Sequence, residues 1–204
     1  MCPRSVAMDD LTAKIVSVPL TRGRRIIAIA GAPASGKSTL AAALQKQIDG
    51  CCVLPMDGFH LDNDTLDARG LLARKGAPET FDVAGLEALV RRLRTDQTLS
   101  FPTFDRTHDR VVPNGGTIGA DVHTILVEGN YLLLTTAPWD RLRAHWDYTV
   151  LLDVPIQDLE ARLIQRWIDN NHTPADARTR TRSNDLPNAL YMQQNSAAPD
   201  LTVT

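Results

Sequence analysis

The chain has 204 residues, with 22 Lys and Arg against 24 Asp and Glu, a formal net charge of −2 and 43% hydrophobic residues. That balance suits a single α/β domain with a sizeable core, argues against a nucleic-acid or acidic-membrane partner, and leaves a homodimer open. No apolar run approaches the roughly 20 residues that span a bilayer, residues 1–20 lack the apolar stretch of a signal peptide, and Cys2, Cys51 and Cys52 give no disulfide framework, so a reducing cytoplasmic setting follows.

Residues 5–18 are weakly amphipathic and predict an N-terminal helical extension. Arg25-Ile26-Ile27-Ala28-Ile29-Ala30 is a short apolar, β-branched run, which predicts a strand buried on both faces. Directly after it comes Gly31-Ala32-Pro33-Ala34-Ser35-Gly36-Lys37-Ser38, which matches the phosphate-cradling G-x-x-x-x-G-K-[ST] pattern. Helical character begins at Thr39. In that strand–loop–helix context, backbone N–H groups of the helix N-terminus face a phosphate. Lys37 reaches the β- and γ-phosphates, and the Ser38 hydroxyl ligates Mg²⁺. Gly31, Ala34, Ser35, Gly36, Lys37, Ser38 and Thr39 are therefore the candidate phosphate contacts, with ATP and Mg²⁺ as the implied ligands.

A second strand is predicted over 51–55, ending just before Asp57. Residues 62–78 read as a polar loop with one helical turn, and Val83, Leu86, Leu89, Val90 and Leu93 recur at helical spacing. An extended excursion starts at Leu99 and is expected to turn at Pro113-Asn114-Gly115-Gly116. Strands follow over 124–129, which closes on Glu128 and Gly129, and over 148–154. Pro155 opens a helix with Ile156, Leu159, Leu163 and Trp167 on one face. A polar break over 170–177, a further helical stretch interrupted near Pro187 and a closing strand at 200–204 complete the chain. Short strands alternating with helices predict a three-layer α/β/α fold around a mostly parallel sheet. Ligands bind beyond the carboxyl ends of such strands, so the glycine-rich loop, Asp57 and Glu128 should meet in one crevice. Phosphoryl transfer needs a Mg²⁺ ligand and a group that orients or deprotonates the acceptor, and the two carboxylates suit those roles. No Asn-Lys-x-Asp stretch is present, which argues against guanine-specific chemistry.

The chain resembles the phosphoribulokinase and uridine kinase branch of P-loop kinases from about Arg24 onward. Pro55-Met56-Asp57-Gly58-Phe59-His60 is similar to the family segment whose Asp is the base and a Mg²⁺ neighbour. Residues 74–82, RKGAPETFD, are similar to a segment of bacterial pantothenate kinases, and the chain as a whole is similar to the bacterial group labelled fructose transport system kinase. Val127-Glu128-Gly129-Asn130 is similar to the Glu-Gly strand end that helps hold Mg²⁺. The resemblance implies an acceptor site within residues 62–121. Asp82 would bind acceptor hydroxyls there, or act as the N-cap of the following helix. His60, Asp105, His108 and Arg110 are further acceptor candidates, with a solvated excursion as the alternative for the last two, and Glu79 ranks below them. The resemblance also implies an Arg-bearing lid over 170–185, with Arg162 and Arg166 as phosphate contacts and Arg166 catalytic. The acceptor implied is a small hydroxylated metabolite: a sugar first, then a nucleoside, then pantothenate. A regulatory or assembly ATPase without an acceptor is the competing class.

Overall fold

A computed structural model describes residues 7–204; Cys2 and the first two residues of the expected N-terminal helix lie outside that range. The first half of the chain runs α1 (Met8–Ser17), β1 (Arg25–Gly31), α2 (Lys37–Gln47), β2 (Cys51–Pro55), α3 (Asn63–Ala68), α4 (Val83–Arg92), β3 (Leu99–Asp105) and β4 (Arg110–Ile118). The second half runs β5 (Thr124–Gly129), β6 (Tyr148–Leu152), α5 (Ile156–Asp169), α6 (Pro174–Arg180), α7 (Leu186–Asn195) and β7 (Leu201–Val203). Five strands form a parallel sheet in the order β2-β5-β1-β6-β7, and β3 and β4 form a separate hairpin.

The apolar runs become the inner strands because both of their faces are covered. Ile27, Ile29, Leu126 and Val150 pack against Leu11 and Ile15 of α1 and Ala41 and Leu44 of α2. The alternate residues Ile26, Ala28, Ala30, Ile125 and Val127 point the other way, toward Leu86 and Val90 of α4, Leu159 and Leu163 of α5 and Met192 of α7. The register pairs Glu128 with Ile29 on one side and Pro55 on the other. The ends of β1, β2 and β5 are thereby level, and whatever follows each strand shares one edge.

Arg24, 6% exposed, fixes this edge's opposite end. Its guanidinium donates to the carbonyls of Val122, Leu93, Asp96, Gln97 and Gly119 at 2.6–3.1 Å, joining the start of β1 to the end of α4 and the foot of the hairpin.

Three expectations need correction. Residues 113–116 do not turn; they lie inside β4, and the chain reverses at 106–109. The glycines serve close approach instead: a Cβ on Gly116 would lie 2.2 Å from the Phe101 ring, and one on Gly115 would lie 1.8 Å from Thr103 Oγ1. The polar break is confined to 170–173, because Thr173 caps α6 and its Oγ1 accepts from the Asp176 amide at 3.2 Å. The interruption near Pro187 is no break in the helical path: it is a π-helical turn, Thr181–Asp185, that leads straight into α7, of which Pro187 is the second residue. Among the described residues no helix is long and apolar enough to cross a membrane. Cys51 and Cys52 are free and partly buried, and burial pushes the Cys51 thiol up to about 12.

Candidate phosphate and acceptor site

β1 ends at Gly31 and α2 begins at Lys37, so the glycine-rich loop spans the gap between sheet edge and helix N-terminus. Ala34 and Gly36 both take left-handed backbone angles, φ 64° and 97°. Nothing lies within 4 Å of where a Gly36 Cβ would sit, so it is the backbone angle that requires glycine there. The Ser35 amide donates to Ala32 O at 3.1 Å. This winding gathers backbone N–H groups into a concave anion cradle. Ser35 is 5% exposed and its buried hydroxyl has no partner among the described residues. A buried, unspent donor in such a loop fits a phosphate oxygen.

Next to the cradle lies a group of charges. The Ser38 hydroxyl donates to Glu128 Oε1 at 3.2 Å. Glu128 is 5% exposed, and burial raises its carboxyl above the ordinary value against the pull of Lys37. Burial lowers the Lys37 ammonium; Glu128 and Asp57 oppose that shift, while Arg166 and Arg106 add to it as like charges. Asp57 stands in the 3₁₀ turn Met56–Phe59 that leaves β2, and its Oδ2 accepts from Arg106 Nη2 at 2.5 Å. Arg166 on α5 is likewise lowered by burial and by Arg106, against Asp185 and Asp57. Loop, both strand-end carboxylates and two arginines thus meet where the sheet topology directs a ligand.

The remaining sequence candidates divide. Thr39 is exposed in the first turn of α2. His60 is a wall of the crevice: its ring lies 4.1 Å from Phe81 and 4.7 Å from Phe104, its Nδ1 donates to Asp57 O at 2.8 Å, and burial lowers its pKa. Asp82 caps α4, with Oδ1 accepting from the Gly85 amide at 2.9 Å. Asp105 and His108 hold each other, carboxylate to Nδ1, at 2.7 Å, and Asp105 also accepts from the Thr107 and His108 amides. They build the hairpin turn. Glu79 pairs with Arg74 at 3.1 Å. Arg110 and Arg162 are exposed and make no side-chain hydrogen bond or ion pair among the described residues. Arg162 lies one helical turn, about 5.4 Å, before Arg166 on α5, so the two positions share a helix face.

Sequence reasoning missed three side chains. Arg106 reaches Asp57 across 49 positions of sequence. Lys75 Nζ bonds Asn63 Oδ1 at 2.7 Å and Asp109 Oδ1 at 2.8 Å, and lies 5.0 Å from the centre of the Phe104 ring, which fastens the hairpin turn to α3 and the segment before α4. Asp185 accepts from the Trp167 indole at 2.6 Å. Asp105 accepts from the Thr107 amide as an Asx turn where the hairpin reverses, a local hydrogen bond that its residue type alone does not announce.

The donor set fits Mg²⁺ bound together with nucleotide. Mg²⁺ takes one or two carboxylates plus phosphate oxygens and waters in place of an all-protein cage. Ser38 and Glu128, with Asp57 beside them, offer that set, and among the described residues no group of three or more His, Cys, Asp or Glu is placed to hold a metal ion by itself. A separate cavity of about 610 Å³ shares Phe81 with the crevice wall and includes Trp139 and Tyr191, but no residue of the phosphate loop.

Residues 26–176 match the model of the phosphoribulokinase / uridine kinase family. The crystal structure of a "putative fructose transport system kinase" from Silicibacter sp. TM1040 is 42% identical, superposes with a TM-score of 0.92, and pairs 98% of this chain with 100% of that one. A "putative uridine kinase" of Schizosaccharomyces pombe is 32% identical over 98% of this chain and 92% of its own length. A pantothenate kinase of Rhodococcus erythropolis is 28% identical over 72% of this chain but only 50% of its own length. With the fold, the phosphate loop and these relatives in agreement, the chain belongs to the phosphoribulokinase / uridine kinase family and is an ATP-dependent kinase.

Proposed function

We propose that the protein transfers the γ-phosphoryl group of ATP to a hydroxyl of a small metabolite, a sugar in the first instance. The observation that supports this reading is the convergence of Lys37, Ser38, Glu128 and Asp57 on one sheet edge, with Arg106 and Arg166 alongside. The loop amides and the Ser35 hydroxyl bind phosphate oxygens, and Lys37 neutralises the β- and γ-phosphates. Ser38 and Glu128, with Asp57 near, would hold Mg²⁺, which supplies charge neutralisation at the phosphate oxygens when bound. Asp57 accepts or orients the proton of the attacking hydroxyl. Arg166 steadies the charge of the transferring group, and residues 170–185 act as a lid that excludes water. The acceptor side lies within 62–121, against His60 and Phe104.

Asp57→Asn keeps the shape and removes the charge. Positioned general-base help is worth about 10²–10⁴-fold, so kcat should fall by about that factor. Nucleotide affinity should stay within about tenfold of wild type, because Lys37 and the loop amides do not depend on Asp57. Acceptor-stimulated ADP release and ATP binding, measured on one preparation, test the split. If no sugar, nucleoside or pantothenate stimulates the wild type and Asp57→Asn leaves basal ATP turnover unchanged, a regulatory ATPase is the better account.

A further inference from the structure

We propose that the acceptor carries its own oxyanion, a carboxylate or a phosphate, seated on Arg106 beside the reacting hydroxyl. The proposal rests on the kinase reading above and narrows its substrate class. Arg106 occupies the start of the hairpin turn and spends a single N–H, from Nη2, on Asp57; its guanidinium makes no other bond among the described residues. A guanidinium offers five donors in a planar fork matched to carboxylate and phosphate. The Arg106 side chain is 59% exposed and Asp57 21%, so the open part of the fork is accessible next to the proposed base.

Of the other cationic candidates on the acceptor side, His108 and Lys75 are committed, and the open Arg110 makes no hydrogen bond or ion pair with Asp57. His108 is bonded to Asp105, and Lys75 to Asp109 and Asn63. His60 is held toward its neutral form by burial and shields nothing electrostatically. Beside Asp57 stands an aromatic wall, Phe81, His60 and Phe104, and the guanidinium that touches Asp57 is that of Arg106.

A hydroxyl that docks on Asp57 competes with Arg106 for the same carboxylate. A neutral sugar would leave the guanidinium without its partner in a crevice where Lys37 and Arg166 already feel it as a like charge. An acceptor with an anionic group one guanidinium's breadth from its hydroxyl replaces what Arg106 gives up. The transfer itself is unchanged: the hydroxyl oxygen bonds the γ-phosphorus, the bond to the β-phosphate oxygen breaks, and the proton leaves toward Asp57. Arg106 is drawn to the acceptor and not to ATP because it arrives from the hairpin, whereas the phosphate loop, Lys37 and Arg166 cover the nucleotide side.

Matched trios test this: D-ribose, D-ribonate and D-ribose 5-phosphate, and D-glucose, D-gluconate and D-glucose 6-phosphate, each followed by ADP release from MgATP with wild type, Arg106→Lys and Arg106→Gln. A charge-assisted pair is worth about 10- to 100-fold, so an anionic member should exceed its neutral parent in kcat/KM by that much. The carboxylate and phosphate arms separate the two sources of the anion. In Arg106→Gln the preference should shrink to within about threefold, and Arg106→Lys should keep part of it as a point charge. The ratio is taken within one preparation, so partial misfolding cancels. Neutral parents turned over as well as their anions, or an anion preference intact in Arg106→Gln, overturns the proposal while leaving the kinase reading in place. So does an equal loss with every acceptor, which would put Arg106 on the γ-phosphate. Silence of the whole panel fails the proposal together with the sugar reading beneath it.

Discussion

Trp167→Phe should loosen the segment over 170–185 and disarm Arg166 without touching the nucleotide loop. The Trp167 ring gathers this segment. Its indole N–H donates to Asp185 Oδ2 at 2.6 Å, the Arg180 guanidinium lies 5.1 Å from the ring centre, and the His172 ring meets it edge-on at 5.0 Å. Phenylalanine keeps a ring for Arg180 and His172 but has no N–H. A hydrogen bond to a charged group contributes about 1.5–3 kcal/mol. Asp185, whose carboxyl burial already raises, would lose the contact that does most to oppose that rise. Docking of the segment should weaken by about 10- to 100-fold, since 1.4 kcal/mol is a factor of ten. Local opening governs amide exchange, so protection of the amides of 174–185 should drop by that factor while the sheet is unaffected. Arg166 precedes Trp167 on the same helix, so kcat should fall by more than ATP affinity. Asp185→Asn keeps an acceptor oxygen and should show the smaller effect. Exchange of 174–185 within twofold of wild type would refute the reasoning.

Lys37→Ala should abolish ATP turnover and weaken nucleotide binding by about tenfold or more, because the fixed cation facing the phosphates is lost; calorimetric titration with ATP checks it, and near-normal turnover would remove the phosphate assignment. Glu128→Gln should trade activity for stability, with a defined pH dependence. The folded-state pKa of Glu128 is raised by burial. Wild type is therefore relatively favoured below the unfolded pKa, near 4.3, and loses that contribution as pH rises through the folded value. The Tm of Glu128→Gln minus that of wild type should grow across that window and level off above it; a flat or falling difference over about pH 4 to 8 would contradict the linkage.

The sheet was legible because a strand covered on both faces must be apolar along its buried length, as residues 26–30 and 125–127 are. The helix starting at Val83 was marked by Asp82, and the one starting at Ile156 by Pro155. The hairpin was misread where residue type and cause part company. Glycine usually signals a turn, yet Gly115 and Gly116 make room for Thr103 and Phe101 across the ladder. The true reversal uses Asp105, Thr107 and His108, whose hydrogen bonds are local but whose types are unremarkable in a polar stretch. Of the site, the phosphate loop, Asp57 and Glu128 could be read because each follows its strand directly. Arg106 and Lys75 could not: what they touch is set by how the hairpin folds back over the end of β2, and no sequence spacing encodes that distance.

The directions of the shifts in the crevice tie stability to function. Glu128 and Asp185 are raised, and Lys37 and Arg166 are lowered, although each has opposite charges near it. For Lys37, Glu128 and Asp185 burial outweighs attraction, so these groups are arranged less to satisfy one another than to keep charge in a poorly hydrated place, while Arg166 is lowered by the like charge of Arg106 as well. Such an arrangement costs folding free energy and is retained where a ligand brings the missing counter-charges. On the proposed reading, a nucleotide's phosphates with their metal ion would answer Lys37, Arg166 and Glu128 together. They leave unanswered the guanidinium of Arg106, whose one partner is the carboxylate that the acceptor hydroxyl must reach. If the Arg106 proposal holds, the charge balance of the crevice closes at the acceptor and not at the nucleotide, and the ratio of anionic to neutral acceptor turnover in wild type and Arg106→Gln is the measurement that decides it.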